Sequence, residues 1–173
     1  MKELVKMKQE GVDLAKFFQE LEWTNQGRDL WKEANKYNTK ILTGGRELAP
    51  GQDAISTGKR LWSKKNLNLE GDNIIVEKQK HKYANPNVIL VDDLKDNVEN
   101  FKQAGGHAIL HTDVKKTVKE LNKHMAKNPN HTVYMDLDGV LVDLEGGVHK
   151  FRGTKQKKGG KIKKDDKIGR AHV

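Results

Sequence analysis

The segment Asp136-Leu137-Asp138-Gly139-Val140-Leu141-Val142-Asp143 sets two carboxylates two residues apart where the apolar run Thr132-Val133-Tyr134-Met135 ends. The glycine that follows permits a tight turn. Asp92-Asp93 repeats the arrangement after Asn87-Val88-Ile89-Leu90-Val91, and neither pair has an adjacent arginine that would reduce it to a simple ion pair. Four carboxylates meeting at one edge of a sheet repel unless a divalent cation neutralises them. Oxygen-only donors select a hard cation, for which Mg²⁺ is the best fit. Either pair alone is an ordinary turn. Both pairs together with a third strand end, Thr43-Gly44-Gly45, point to a site for phosphate and metal.

The elements that must position these residues follow from hydrophobic periodicity. Leu14, Phe17, Phe18 and Leu21 recur at helical spacing and predict an amphipathic helix over 12–23. Further helices are predicted over 27–37, 55–66, 95–104 and 114–125. Short apolar runs predict strands at 40–43, 73–76, 87–91, 108–110 and 132–135. Strands that are continuously apolar and alternate with helices indicate a parallel sheet covered on both faces. The expected fold is therefore α/β, a doubly wound, Rossmann-like parallel sheet. Ligands of such sheets bind beyond the carboxyl ends of the strands, where the aspartates and the Thr-Gly-Gly turn lie.

Composition narrows the setting. The chain has 173 residues, no cysteine and a net charge of +9. Disulfides, thiolate nucleophiles and Cys-based metal sites are thereby excluded. No run approaches the length of a membrane span and the first residues lack a secretory apolar core, so a cytoplasmic protein is expected. Between Lys150 and Arg170 ten Lys and Arg stand against two Asp, which leaves the rest of the chain close to neutral. A basic domain face is thus not expected. Residues 150–173 read as a basic flexible tail capable of weak, salt-sensitive contact with nucleic acid. A catalytic core is expected over 1–149.

Taken as a set, the motifs resemble those of the haloacid dehalogenase-like (HAD) phosphatases. Asp136 to Asp143 resembles their nucleophile motif, Ile41-Leu42-Thr43 their second motif, and Ile89-Leu90-Val91-Asp92-Asp93 their acidic fourth motif. For the lysine of the third motif, Lys82 is the first choice and Lys80 the second. From Leu21-Glu22-Trp23 through Ala104-Gly105-Gly106-His107-Ala108-Ile109-Leu110, the chain is most similar to 5'(3')-deoxyribonucleotidase-like proteins common in tailed phages. For a phage-encoded protein the cytoplasm would be the host's. The resemblance implies an Mg²⁺-dependent phosphomonoester hydrolase acting on nucleoside monophosphates. Asp136 would be the nucleophile and Asp138 the general acid and base. Thr43, Gly44, Gly45 and Arg46 would bind the phosphate, and Lys82 would balance charge. Mg²⁺ would be held by Asp136, the main-chain carbonyl of Asp138, and either Asp92 or Asp93.

The order of the motifs departs from the family, because the nucleophile strand comes last. One explanation is a circular permutant, with the break moved into the cap and residues 1–20 as a cap remnant. The other is a tandem or truncated gene product. Residues 168–173 match the translation of a sequencing-library adapter and are expected to be non-biological. An exchanged C-terminal strand in a dimer would also satisfy the motifs.

Thr43-Gly44-Gly45-Arg46-Glu47 also resembles a stretch of the phosphatase domain of phage polynucleotide kinases, which makes a polynucleotide 3'-phosphatase the alternative activity. Phosphotransferases and phosphonatases of the same superfamily share Asp136. From a different class, a non-catalytic fragment binding nucleic acid through its tail would show no phosphate release. The histidines are assigned no metal role, since His107 and His111 bracket a strand that separates them by roughly 13 Å. Trp23, Trp31 and Trp62 are expected in packing, Lys59-Arg60 on a solvated helix face, and Gly146-Gly147 in a close approach or a flexible turn.

Overall fold

A computed structural model describes residues 2–45 and 53–158. Arg46, the end of the basic tail and residues 168–173 lie outside the described residues. The elements run α1 (Lys2–Gln9), α2 (Leu14–Gln19), α3 (Gly27–Ala34), β1 (Asn38–Thr43), α4 (Ala54–Leu67), β2 (Ile74–Val76), β3 (Val88–Asp92), α5 (Lys95–Gln103), β4 (His107–Leu110), α6 (Val114–Lys127), β5 (Thr132–Met135) and α7 (Leu144–Lys158). A 3-10 turn at Lys80–Tyr83 precedes β3. No helix among the described residues is long and apolar enough to cross a membrane.

The five strands form one all-parallel sheet in the order β2-β1-β5-β3-β4, as expected of a Rossmann-like α/β fold. Alternation along each strand sorts the core into two layers. Ile41, Ile89, Val91, Ile109, Val133 and Met135 face one side and pack with Leu30 and Trp31 of α3, Trp62 of α4 and Leu121 of α6. Leu42, Val88, Leu90 and Ala108 face the other and pack with Val98 and Phe101 of α5. The last strand in sequence is thus central in space, between β1 and β3. Thr43, Asp92 and Asp136 end three neighbouring strands, at the point where the connections diverge to the two sides.

The helix expected over 12–23 is shorter. Asp13 caps α2 by accepting from the Lys16 amide at 3.1 Å, and the chain leaves the helix at Glu20. Trp23 then forms an antiparallel bridge with Val142 instead of continuing a helical turn. All three tryptophans pack against the main core, with Trp62 fully buried and its Nε1 donating to the Leu21 carbonyl at 2.9 Å.

The boundary expected at residue 150 falls inside a helix. Asp143 starts α7 by accepting from the Gly146 amide at 2.9 Å, and α7 lies against α1 and α2. Leu4, Met7 and Leu14 form a small third core there with Val148 and Phe151. Arg152 reaches Glu3 at 3.0 Å and Glu10 at 2.6 Å, tying the first helix to the last. Gly147 lets α7 approach the Leu21 side chain, whose Cδ2 would have to shift to admit a Cβ there.

Helices α2 and α4 cross closely at Gly58, where a Cβ would stand 2.6 Å from Phe18 Cβ and 2.8 Å from the Ala15 carbonyl oxygen. Backbone cannot yield as a side-chain tip can. Gly58→Ala is therefore expected to lower stability by about 1–3 kcal/mol, despite the better helix propensity of alanine. A denaturant titration showing no loss would refute this close crossing.

Candidate active site

Register brings the first two carboxylates together. Val91 of β3 pairs with Met135 of β5, so the next residues, Asp92 and Asp136, stand side by side at the strand ends. The Asp136 amide continues the ladder by donating to the Val91 carbonyl at 3.0 Å. Asp92 is 0% exposed and Asp136 5%, a placement that two anions tolerate only with a counter-charge. Lys80 supplies it, with Nζ 2.7 Å from Asp92 Oδ2 and 2.9 Å from Asp136 Oδ1.

Lys82, the first choice from sequence, lies elsewhere. Its side chain is largely exposed and pairs with Glu77 at 3.6 Å. In a 3-10 turn, positions i and i+3 share a face. Tyr83 packs inward against Tyr134, and Lys80, three residues earlier, is turned inward with it. Lys82 falls between them and faces outward.

The adjacent aspartates differ in their engagement. Asp92 accepts from the Leu94 amide at 2.9 Å and from Asn97 Nδ2 at 3.1 Å, in addition to Lys80. Asp93 is half-buried and lies against Gly139, where any Cβ would collide with its carboxylate. Gly139 also has φ +79°, a left-handed conformation suited to glycine. Carboxylate oxygens of Asp92, Asp93 and Asp136 lie within 4.8 Å of one another, a group that could hold a metal ion. With Asp92 already accepting from three protein donors, Asp93 and Asp136 are the two better placed to bind a cation directly.

On the β1 side the sequence reading requires correction. Lys59 is 2% exposed, not on a solvated face. Its ammonium donates to Thr43 Oγ1 at 3.0 Å and to the Gly44 carbonyl at 2.6 Å, and pairs with Asp138 Oδ2 at 3.3 Å. The Phe18 ring lies 5.6 Å beneath it. A signal was present in the sequence. Ser56, Lys59 and Ser63 recur at i, i+3 and i+7, and all three are buried on one face of α4. The role of Asn97 had no such signal.

Asp138 projects from a loop held from both ends. The Leu137 carbonyl accepts from the amides of Leu141 and Val142, both at 2.9 Å, and Gly139 donates to Val142 at 3.0 Å. Segment Glu22–Thr24 splints the loop from outside: the Thr24 amide donates to Leu141 and its hydroxyl to Val140, both at 2.8 Å. Asp138 Oδ1 is buried without a hydrogen-bond partner among the described residues. Gly44 and Gly45 leave β1 beside this loop, and a Cβ at Gly45 would press on Val76.

When all are ionised, the four aspartates and two lysines leave two negative charges in excess. That excess and the converging oxygen donors of Asp92, Asp93 and Asp136 fit a divalent cation. Burial raises Asp136 to about 7, with Asp92 and Asp138 pushing the same way and Lys80 opposing. Burial and then Asp92 also raise Asp93. Burial works against the Lys80 ammonium, but Asp136 and Asp92 outweigh it and hold the lysine protonated.

These contacts separate the roles of the neighbouring aspartates. Asp93→Asn is expected to weaken Mg²⁺ binding, read by calorimetry, with little change in stability. Asp92→Asn should lower stability by about 1.5–3 kcal/mol, because charged hydrogen bonds are lost in the interior. Reversed phenotypes would overturn the assignment. For Asp136, a raised carboxyl contributes stability that is complete below about pH 4 and is lost as pH rises through about 7. In metal-free buffer the parent should therefore lose stability relative to Asp136→Asn across that range, and Mg²⁺ should offset the loss. A constant difference between the two denaturation midpoints would contradict this. Comparison with protein-family models, curated proteins and solved structures gave no match, so the site is defined by its own geometry.

Proposed function

We propose that the chain is a Mg²⁺-dependent phosphomonoester hydrolase of the HAD-like type, acting on nucleoside monophosphates. The observation that carries this reading is Asp136 on the central strand, braced by Lys80 and flanked by Asp93, with Asp138 two residues further on. Asp93 and Asp136 would hold the cation, which supplies charge neutralisation between the anionic substrate and the carboxylates.

An Asp136 carboxylate oxygen bonds to phosphorus while the ester P–O bond breaks. Asp138 gives its proton to the leaving oxygen, and the alcohol departs. Asp138, now ionised, takes a proton from water as that water attacks the aspartyl-phosphate. Phosphate is released and Asp136 is restored. Lys80 keeps Asp136 from being repelled by its neighbours. Lys59 orients Thr43 and Asp138 towards the same space, and the Gly44-Gly45 turn offers backbone amides to phosphoryl oxygens.

In this reading the nucleophile strand, last in sequence, completes the sheet between β1 and β3, and α7 packs on α1. The nucleotide preference rests on the sequence resemblance.

Phosphate release from deoxynucleoside 5'- and 3'-monophosphates and a 3'-phosphorylated oligonucleotide, with Mg²⁺ or EDTA, tests the reading. Turnover should require Mg²⁺ and fall by on the order of 10³ or more in Asp136→Asn. Preference for the oligonucleotide would favour the 3'-phosphatase. No release from any substrate by folded protein would overturn the hydrolase reading.

A further inference from the structure

At the opposite end of the sheet from the aspartates, three histidines distant in sequence come together. His107 opens β4, His131 immediately precedes β5, and His124 lies in the last turn of α6. Their ring centroids are 5.0 Å apart for His107 and His124, 5.1 Å for His107 and His131, and 6.3 Å for His124 and His131. Nothing in their spacing along the chain announced this.

The backbone carbonyl of Pro86, two residues before β3, lies 3.1 Å from His107 Nε2 and 3.2 Å from His131 Nε2. A carbonyl only accepts, so both rings carry their proton on Nε2 and, when neutral, have an unprotonated Nδ1. One oxygen thus joins the approaches to β3, β4 and β5. His131 is 5% exposed, and its Nδ1 has no partner among the described residues.

A proton on His131 Nδ1 would create a buried N–H without an acceptor. A second charge on His107 or His124 would lie within a few ångströms of the first and repel it. Apart from the two other imidazoles, the charged groups that act on His124 are Glu120 and Lys127 of α6, in opposite directions. The approach to β3, Asn85-Pro86-Asn87, brings no charge. Among the described residues only Asp92, Asp93 and Asp136 offer three converging metal-ligand atoms, so the imidazoles are not arranged as a chelate.

We propose that His107, His124 and His131, gathered about the Pro86 carbonyl, form a proton-sensitive fastening of β3, β4 and β5 that loosens on acidification. Burial first, then His107 and His131, keep His124 below the ordinary imidazole range, in keeping with this. The unfolded chain takes up a proton more readily than His124 does in the fold. Stability from the cluster is therefore complete at neutral pH and falls as pH drops through the imidazole range. Because β3 and β5 carry Asp92 and Asp136, the fastening sets the footing of the candidate active site from its far end.

The test compares denaturant unfolding of the parent with His131→Gln and His124→Gln between about pH 7.5 and pH 5.5, with proton NMR titration of the histidines in the folded parent. Glutamine at 131 retains a donor for Pro86 but cannot titrate. Each histidine kept neutral by the fold steepens the unfolding constant towards about tenfold per pH unit, so each variant should show a shallower acid dependence than the parent. Carboxylate contributions are common to all three proteins and cancel. Equal slopes in parent and variants would overturn the proposal. So would imidazoles that titrate in the folded parent near the ordinary midpoint, a readout that remains if His131→Gln does not fold.

Discussion

The Lys80 ammonium, buried between Asp92 and Asp136, is the interaction on which the rest of the structure depends. Parallel register forces the two aspartates to be neighbours at the ends of β3 and β5, and hydrophobic layers on both faces of the sheet remove them from water. Without a cation there, one or both would have to take up a proton or leave the interior. The single ammonium at 2.7 and 2.9 Å makes the arrangement tenable. It also couples the 3-10 turn before β3 to the central strand.

A second buried lysine plays a complementary part. Lys59 fastens α4 to the end of β1 and to the loop after β5, through Thr43, Gly44 and Asp138. The two lysines therefore grip the carboxylate cluster from opposite sides, one through each strand that flanks β5. Between them the loop from Leu137 to Val142 is kept rigid by its buried apolar side chains and by the splint from Glu22 to Thr24. The proposed hydrolase chemistry, in which several groups would act at one phosphorus atom, needs such preorganisation, since looseness of an ångström is costly in rate.

The helices at the two ends of the chain complete the body. Their own core is small, and the exposed parts of their ion pairs contribute little. The apolar contacts of Leu4, Met7 and Phe151 and the edge-to-face pair of Phe17 with Phe151 hold α1 and α7 beside α2. Through the α2–α4 crossing at Gly58, that unit bears on the helix that carries Lys59. Packing at the chain ends is thus mechanically continuous with the candidate active site.

The sequence by itself determined the strands, most of the helices and the parallel sheet, because apolar runs and helical periodicity are local properties of the chain. It also marked Thr43, Asp92, Asp93, Asp136 and Asp138, since carboxylates and glycines just beyond apolar strands carry their meaning in their immediate neighbours. Only the tertiary structure chose Lys80 over Lys82, because the choice depends on which face of a 3-10 turn the core covers. Only it could bury Lys59 against Thr43, separate the roles of Asp92 and Asp93, and gather His107, His124 and His131. Those facts depend on which strands are neighbours and on how helices cross, and such contacts are fixed by packing between segments far apart in the chain.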